Sequence, residues 1–353
     1  MRNGSFPRLA AVAMGAAVGV GVTHQMYASL RSLAFTPAGF EEHRLVCGTG
    51  NILTCYKRVG LPDGPTLVLD AGLMSTSVSW LLVVDRLDPA ITVVVYDRAG
   101  YRKSQRRAYE PYCLAESVDD LREVVTHARA GAGPVFLAGH SLGGYFSYQV
   151  AGTSSRSGGS EAPAPAVDGI ILVDPMHPRE LMKSPRQREG SRSTHMTMKL
   201  GSVTAYLGGS LLSEEADLVF KLCVGNPYEK QLRREMAAGR TWRAGKREWE
   251  QSYALMLDGG RSLNRVPVPV SVIAAGETLR PEVGQRPLLD EYVTLGTGGG
   301  VTEIEGASHQ SMLWSGEYAP RTAEALERIM NDSVKQPGGT GPDRAGTAKS
   351  ETR

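Results

Sequence analysis

The residues best placed to do chemistry lie at 134–152, PVFLAGHSLGGYFSYQVAG. Here Gly139-His140-Ser141-Leu142-Gly143 matches G-x-S-x-G between an apolar, β-branched run and a helix-compatible one. A strand that turns sharply into a helix strains the residue at the crease, and glycine on both sides relieves the crowding. The serine hydroxyl is then lifted above the sheet edge at the helix N-terminus. There, backbone N–H groups and the helix dipole favour a developing oxyanion. Serine attacks a carbonyl only when a base takes its proton, and histidine titrates near neutral pH. A buried carboxylate that fixes the histidine tautomer completes the set. The chemistry implied is nucleophilic acyl transfer at Ser141. The other reading of the same letters is a glycine-rich turn without chemistry.

Such a serine needs a sheet to deliver it. From about residue 42, strand-like and helix-like runs alternate. HRLVCG and ILTCYKRVG read as a hairpin, and TLVLDAG, ITVVVYD, PVFLAGH, GIILVDP, PVSVIAAG and GVTEIEG as further strands. Between them, the region of WLLVVDRLD, then SVDDLREVVTHARA, LGGYFSYQVAG and finally EYAPRTAEALERIMND have helical spacing. Strands alternating with helices predict an α/β fold with a mostly parallel, doubly wound sheet.

Residues 175–266 break that rhythm. They carry no convincing buried strand but have helical stretches such as EEADLVFKLCVG and KREWEQSYALMLDG. The organisation expected is a core of residues 40–174 and 267–332 with residues 175–266 as an inserted helical cap. The cap would lie over the C-terminal edge of the sheet, where ligands bind in open α/β folds. GTSSRSGGSEAPAPAVDG reads as a surface insertion, and residues 333–353 as a disordered tail.

At the other end, Arg2 and Arg8 precede LAAVAMGAAVGVGV, a basic start and apolar run like a secretory leader. Residues 1–30 are read as a signal peptide or an uncleaved membrane anchor. A third option is an Ala/Gly-rich helix packed on the domain. The chain is expected to be exported, secreted or membrane-anchored, with a cytoplasmic location still open. Were it exported, Cys47 and Cys55 could pair across the turn-like GTGN, or remain free thiols. The formal charge of +2 gives no electrostatic reason to expect nucleic acid, and the four cysteines lack metal-ligand spacing. No cofactor and no metal are expected.

The chain resembles the α/β-hydrolase family over residues 42–331, and several motifs carry the resemblance. LDAGLMSTSVSW is similar to the family's His-Gly-x turn, with Gly72 and Trp80 at the family spacing but Asp70-Ala71 in place of the usual histidine region. YDRAGYRKSQ is similar to its D-R-x-G-x-G-x-S loop, with Asp97, Arg98, Gly100 and Ser104 in place and Arg102 where the second glycine usually stands. That loop is mainly structural in the family. The resemblance implies oxyanion donors at the Leu73 and Leu142 N–H groups. It also implies a catalytic histidine after the last strand, at His309. His24, His43, His127, His177 and His195 lie elsewhere, and His140 is set aside as pointing away from the serine. The acid is read as Asp174, which ends GIILVDP, with Glu277 after PVSVIAAG as the alternative and Glu282 or no acid at all as further options.

Together these imply a serine hydrolase acting on a carboxylic ester or related acyl bond of a small, partly apolar substrate. The alternatives are an acyltransferase on the same triad, in which an alcohol replaces water, and a non-catalytic binding member of the fold. The N-terminal segment adds possible membrane association.

Overall fold

The structure, a computed structural model, describes residues 5–129, 131–152, 167–207, 221–223, 225–259, 263–280 and 284–335. Among them eight strands form one sheet: β1 (Glu41–Val46), β2 (Ile52–Arg58), β3 (Thr66–Asp70), β4 (Thr92–Asp97), β5 (Val135–His140), β6 (Gly169–Val173), β7 (Val270–Ala275) and β8 (Val301–Ile304). Their order is β1-β2-β4-β3-β5-β6-β7-β8. The β1–β2 and β2–β4 pairings are antiparallel, and every pairing from β4 to β8 is parallel.

The central strands are buried on both faces, as their unbroken apolar runs require. Alternation along each strand divides the core in two. Val68, Val94, Leu137 and Ile170 face one cluster, while Leu67, Leu69, Val93, Val95 and Phe136 face the other. The first is covered by α2 (Leu114–Ala128), which buries Val118, Leu121, Val124, Val125 and Ala128, and by α3 (Leu142–Ala151).

Helices α4 (Pro185–Thr204), α5 (Glu229–Ala237) and α6 (Gly239–Leu257) come between β6 and β7. Ser184 caps α4 by accepting from Gln187 N–H, with Pro185 in the first turn where its missing N–H costs nothing. Gly201 of α4 leaves the space that the Trp242 ring of α6 fills. Further on come α7 (Arg286–Leu295) and α8 (Tyr318–Lys335), which covers the second face with Ala319, Ala323, Leu326 and Met330.

Helix α1 (Ser5–Ala34) precedes the sheet, and Gln25, Ala28 and Ser32 on one stripe of it are buried. Among the described residues, no helix is long and apolar enough to cross a membrane.

Several expectations are corrected. The tail does not begin at residue 333, because α8 runs to Lys335; residues 336–353 lie outside the described residues. So do 153–166 of the expected surface insertion and 214–220 of EEADLVFKLCVG. Cys47 and Cys55 are both free and buried. The hairpin register explains this: it sets His43, not Cys47, opposite Cys55. Four residues of offset along a strand amount to about 13 Å, well beyond the reach of a disulfide.

Candidate active site

The elbow has the geometry that its sequence demands. Ser141 follows β5 at φ 54°, ψ −120°, a region that residues other than glycine seldom occupy. A Cβ at Gly139 would come within 2.2 Å of the Gly143 carbonyl oxygen, and one at Gly143 within 2.4 Å of the Ala71 carbonyl oxygen. Both positions therefore exclude any other residue. Ser141 N–H donates to the Val173 carbonyl at 3.0 Å, and the Ser141 carbonyl accepts from Met176 N–H at 3.0 Å, so the crease is tied to the end of β6.

Asp174 stands at that end, at φ 43°, with its side chain 2% exposed. Its Oδ1 accepts from Ala275 N–H at 3.1 Å, and its Oδ2 accepts from the Thr278 hydroxyl at 2.8 Å and from His309 Nδ1 at 2.6 Å. A carboxylate only accepts, so the hydrogen is on Nδ1 and Nε2 is left for another partner. Burial pushes the Asp174 pKa up. The His309 hydrogen bond and charge, with Thr278 and Ala275, outweigh it and hold the carboxyl below its ordinary value. For His309, burial pulls downward, but the bond to Asp174, the Asp174 charge and a smaller contribution from Glu180 raise it above the histidine norm.

Ser141, Asp174 and His309 all line one cavity of about 310 Å³, together with Leu73, Leu142, Met176, Trp249 and Met256. A second lobe of about 350 Å³ shares Leu73, Ser141, Trp249 and His309 and extends to Met74, Ser191, Thr194 and Met236. Ser141 and His309 thus sit where the two lobes meet. Leu73 N–H and Leu142 N–H donate to no other group among the described hydrogen bonds.

Glu277 is not part of this cluster. The turn after β7, closed by Thr278 and Leu279 N–H groups on the Ala275 carbonyl, sends it outward. It is half-exposed, 4.0 Å from Arg280. Glu282 lies outside the described residues.

His140 is a direct neighbour of His309. Its ring packs on His309 with centroids 4.5 Å apart, and its Nε2 meets the His309 carbonyl at 3.0 Å. A carbonyl only accepts, so Nε2 carries the hydrogen. Burial, then the His309 charge, pushes the His140 pKa down to about 3, which keeps the ring neutral. The remaining histidines are elsewhere: His177 is buried beside Tyr292, His195 stacks on Tyr253, His43 meets His127, and His24 is on α1.

Three features gave no clear signal in the sequence. Glu180 lines both lobes, accepts from His177 N–H at 3.1 Å and is pushed up to about 7 by burial. Glu248 of α6 receives the Arg98 guanidinium at 2.8 and 2.9 Å. Arg98 also donates to Asp70 at 2.9 Å, to the Ala71 carbonyl, and to the Gly72 carbonyl at 2.7 Å. The Tyr101 hydroxyl donates to Glu248 at 2.8 Å and accepts from Met74 N–H at 3.3 Å. The loop bearing Leu73 is thereby fixed to the helical block. Arg102 is the third. It keeps the left-handed turn of the missing glycine, at φ 36°. Its buried guanidinium meets Asp97 at 3.1 Å, Glu235 of α5 at 3.0 Å, and the Ser32 and Phe35 carbonyls at the end of α1 at 3.3 and 2.6 Å.

The sheet order and the strained serine after β5 define the class: an α/β-hydrolase fold with a serine at its elbow. A family model described as "Alpha/beta hydrolase family" matches residues 67–325, and the chain belongs to that family. It is similar to RutD of Serratia proteamaculans, named for carbamate hydrolysis, at 32% identity over 26% of this chain and 33% of that protein. It is also similar to EphD of Mycobacterium tuberculosis, named for oxidoreductase activity, at 29% identity over 42% of this chain and 27% of that one. The chain thus matches about a third or less of the length of these relatives. Among solved structures, the Cif epoxide hydrolase from Acinetobacter nosocomialis superposes with a TM-score of 0.63 at 15% identity, over 88% of this chain and 96% of that one.

Proposed function

We propose that the protein is a serine hydrolase that cleaves a carboxylic ester or related acyl bond through an acyl-serine. The observation that carries this reading is the 2.6 Å bond from His309 Nδ1 to buried Asp174, at a cavity that Ser141 also lines. His309 Nε2 takes the proton as Ser141 Oγ attacks the carbonyl carbon. The carbonyl oxygen becomes an oxyanion, held by Leu73 and Leu142 N–H groups; one such donor is worth about 10²–10³ in rate. The intermediate collapses, and the alcohol leaves with the proton from His309. Water, deprotonated by the same nitrogen, then releases the acid and restores Ser141.

A serine at the elbow argues against the chemistry of the epoxide-hydrolase relatives, whose nucleophile is a carboxylate. Two lobes of about 310 and 350 Å³ favour a small substrate with one group on each side of the bond. Met176, Trp249 and Met256 favour an apolar group in one of them. The basic, apolar N-terminus supports export or anchoring at a membrane, which fractionation of cells expressing the full chain and a chain starting at residue 31 tests.

A p-nitrophenyl ester panel of varied acyl length tests the reading. Wild type should turn over short esters, and Ser141→Ala should reduce the rate to background. Equal rates for the two would overturn it.

A further inference from the structure

A second cavity, of about 570 Å³, opens where the loop after β4 meets α6. Its lining includes Arg106, Arg107, Arg240, Arg243 and Arg247 and no carboxylate. Arg240, Arg243 and Arg247 fall at i, i+3 and i+7, one face of the helix, and Arg106 and Arg107 approach from the loop.

Only Arg106 has an acidic partner among the described ion pairs, Glu116 at 2.6 Å. Arg107 donates to the Gln105 side-chain oxygen at 2.9 and 3.1 Å. Arg240 donates to the Ser104 carbonyl at 3.4 Å, and Arg243 lies over the Tyr206 ring. Arg247 donates to the Ala99 carbonyl at 2.6 Å, lies over Tyr112, and has a buried Nε with no partner. Gly100 makes the room: a Cβ there would stand 3.1 Å from the Arg247 guanidinium. Burial pulls the Arg240 pKa down, so its charge is desolvated without a full return. Elsewhere this protein answers a buried arginine with carboxylates, as Arg98 and Arg102 demonstrate, whereas the part-buried Arg240 and Arg247 have none among the described ion pairs and Arg107 and Arg243 add exposed charge beside them. Four guanidinium groups without one, around a shared space, make a site for an external anion. Guanidinium forks match phosphate oxygens two at a time.

We propose that this cavity binds a phosphate-bearing ligand, a diphosphate or phosphate monoester group, clamped between the loop and α6. The opposite face of α6 lends Trp249, Ser252 and Met256 to the active cavity, so the anion also steadies that wall.

The test is calorimetric titration of the full chain with inorganic pyrophosphate, beside sodium chloride of equal ionic strength. A second arm measures co-sedimentation with phosphatidylcholine vesicles containing phosphatidate. Saturable pyrophosphate binding is expected, weakened about tenfold or more by Arg247→Gln, since charged hydrogen bonds carry that much. The same loss is expected in Arg107→Gln/Arg243→Gln, which alters only exposed side chains and should keep wild-type ester hydrolysis. Pyrophosphate binding without vesicle binding supports a soluble ligand. Vesicle binding that pyrophosphate competes away and the variants lose supports a lipid headgroup. Binding matched by chloride, binding equal in wild type and variants, or no binding in either arm overturns the proposal.

Discussion

Replacing Asp174 by Asn exchanges one carboxylate oxygen for NH₂ and tests the acid of the proposed triad. The carboxylate accepts three hydrogen bonds, from Ala275 N–H, the Thr278 hydroxyl and His309 Nδ1–H. An amide has one oxygen for these three donors. If its oxygen keeps Ala275, its NH₂ faces His309 and forces the imidazole hydrogen onto Nε2, where the base is needed. If its oxygen keeps His309, NH₂ opposes the Ala275 N–H in a buried site. The first arrangement loses the productive tautomer, the second opposes two donors in a buried site, and both lose the charge that stabilises the imidazolium. The corresponding change in serine proteases lowers turnover about 10⁴-fold, about 5.4 kcal/mol of barrier. The assay is kcat/KM on a short p-nitrophenyl ester, with circular dichroism as the control for folding. Glu277→Gln, at a half-exposed position outside the cluster, should stay within about twofold of wild type, as surface changes usually do. An Asp174→Asn enzyme within tenfold of wild type would refute the reasoning.

Further outcomes follow from the surrounding groups. His309 must be neutral to act, so kcat/KM should rise with pH through a value above the usual histidine pKa of about 6.5; a pH–rate profile centred lower contradicts this. Glu180 contributes to that elevation, so Glu180→Gln should move the rising limb to lower pH; an unmoved limb separates Glu180 from the site. Glu248→Gln leaves Arg98 with a weakened partner in a buried pair, and breaking such a pair costs about 3–5 kcal/mol; urea unfolding measures it, with a loss under 1 kcal/mol as the contrary result. Thiol titration of the native protein should give one fast cysteine, exposed Cys113, and all four after denaturation without reductant; a missing pair would restore the Cys47–Cys55 bridge.

The fold was legible because its signals are local. Runs such as TLVLD and TVVVYD cannot be anything but doubly covered strands once helical runs alternate with them. The elbow was legible because a strained turn admits few residue types, and Gly139 and Gly143 have no space for a side chain. His309 could be singled out by its place after the last strand.

Asp174 could be preferred but Glu277 not excluded, because the choice depends on contacts between strand ends far apart in the chain. Asp174 meets Ala275 and Thr278 only through the β6–β7 pairing, and His309 reaches it from beyond β8. Glu277 is only two residues from Ala275, but its turn faces solvent. The contact between His140 and His309 was not visible, because the two histidines lie 169 positions apart. Arg102 looked like a lapse in a glycine motif until its side chain met Asp97, Glu235 and α1. The hairpin was visible, yet its register, and with it the fate of Cys47 and Cys55, was not.

The central claim is that Ser141 is an activated nucleophile. A fluorophosphonate probe on the folded full chain, followed by peptide mass spectrometry, tests it most directly. One adduct is predicted, on Ser141, absent after denaturation and strongly slowed in His309→Ala. Folded protein that takes no label, or takes it on another residue, contradicts the account.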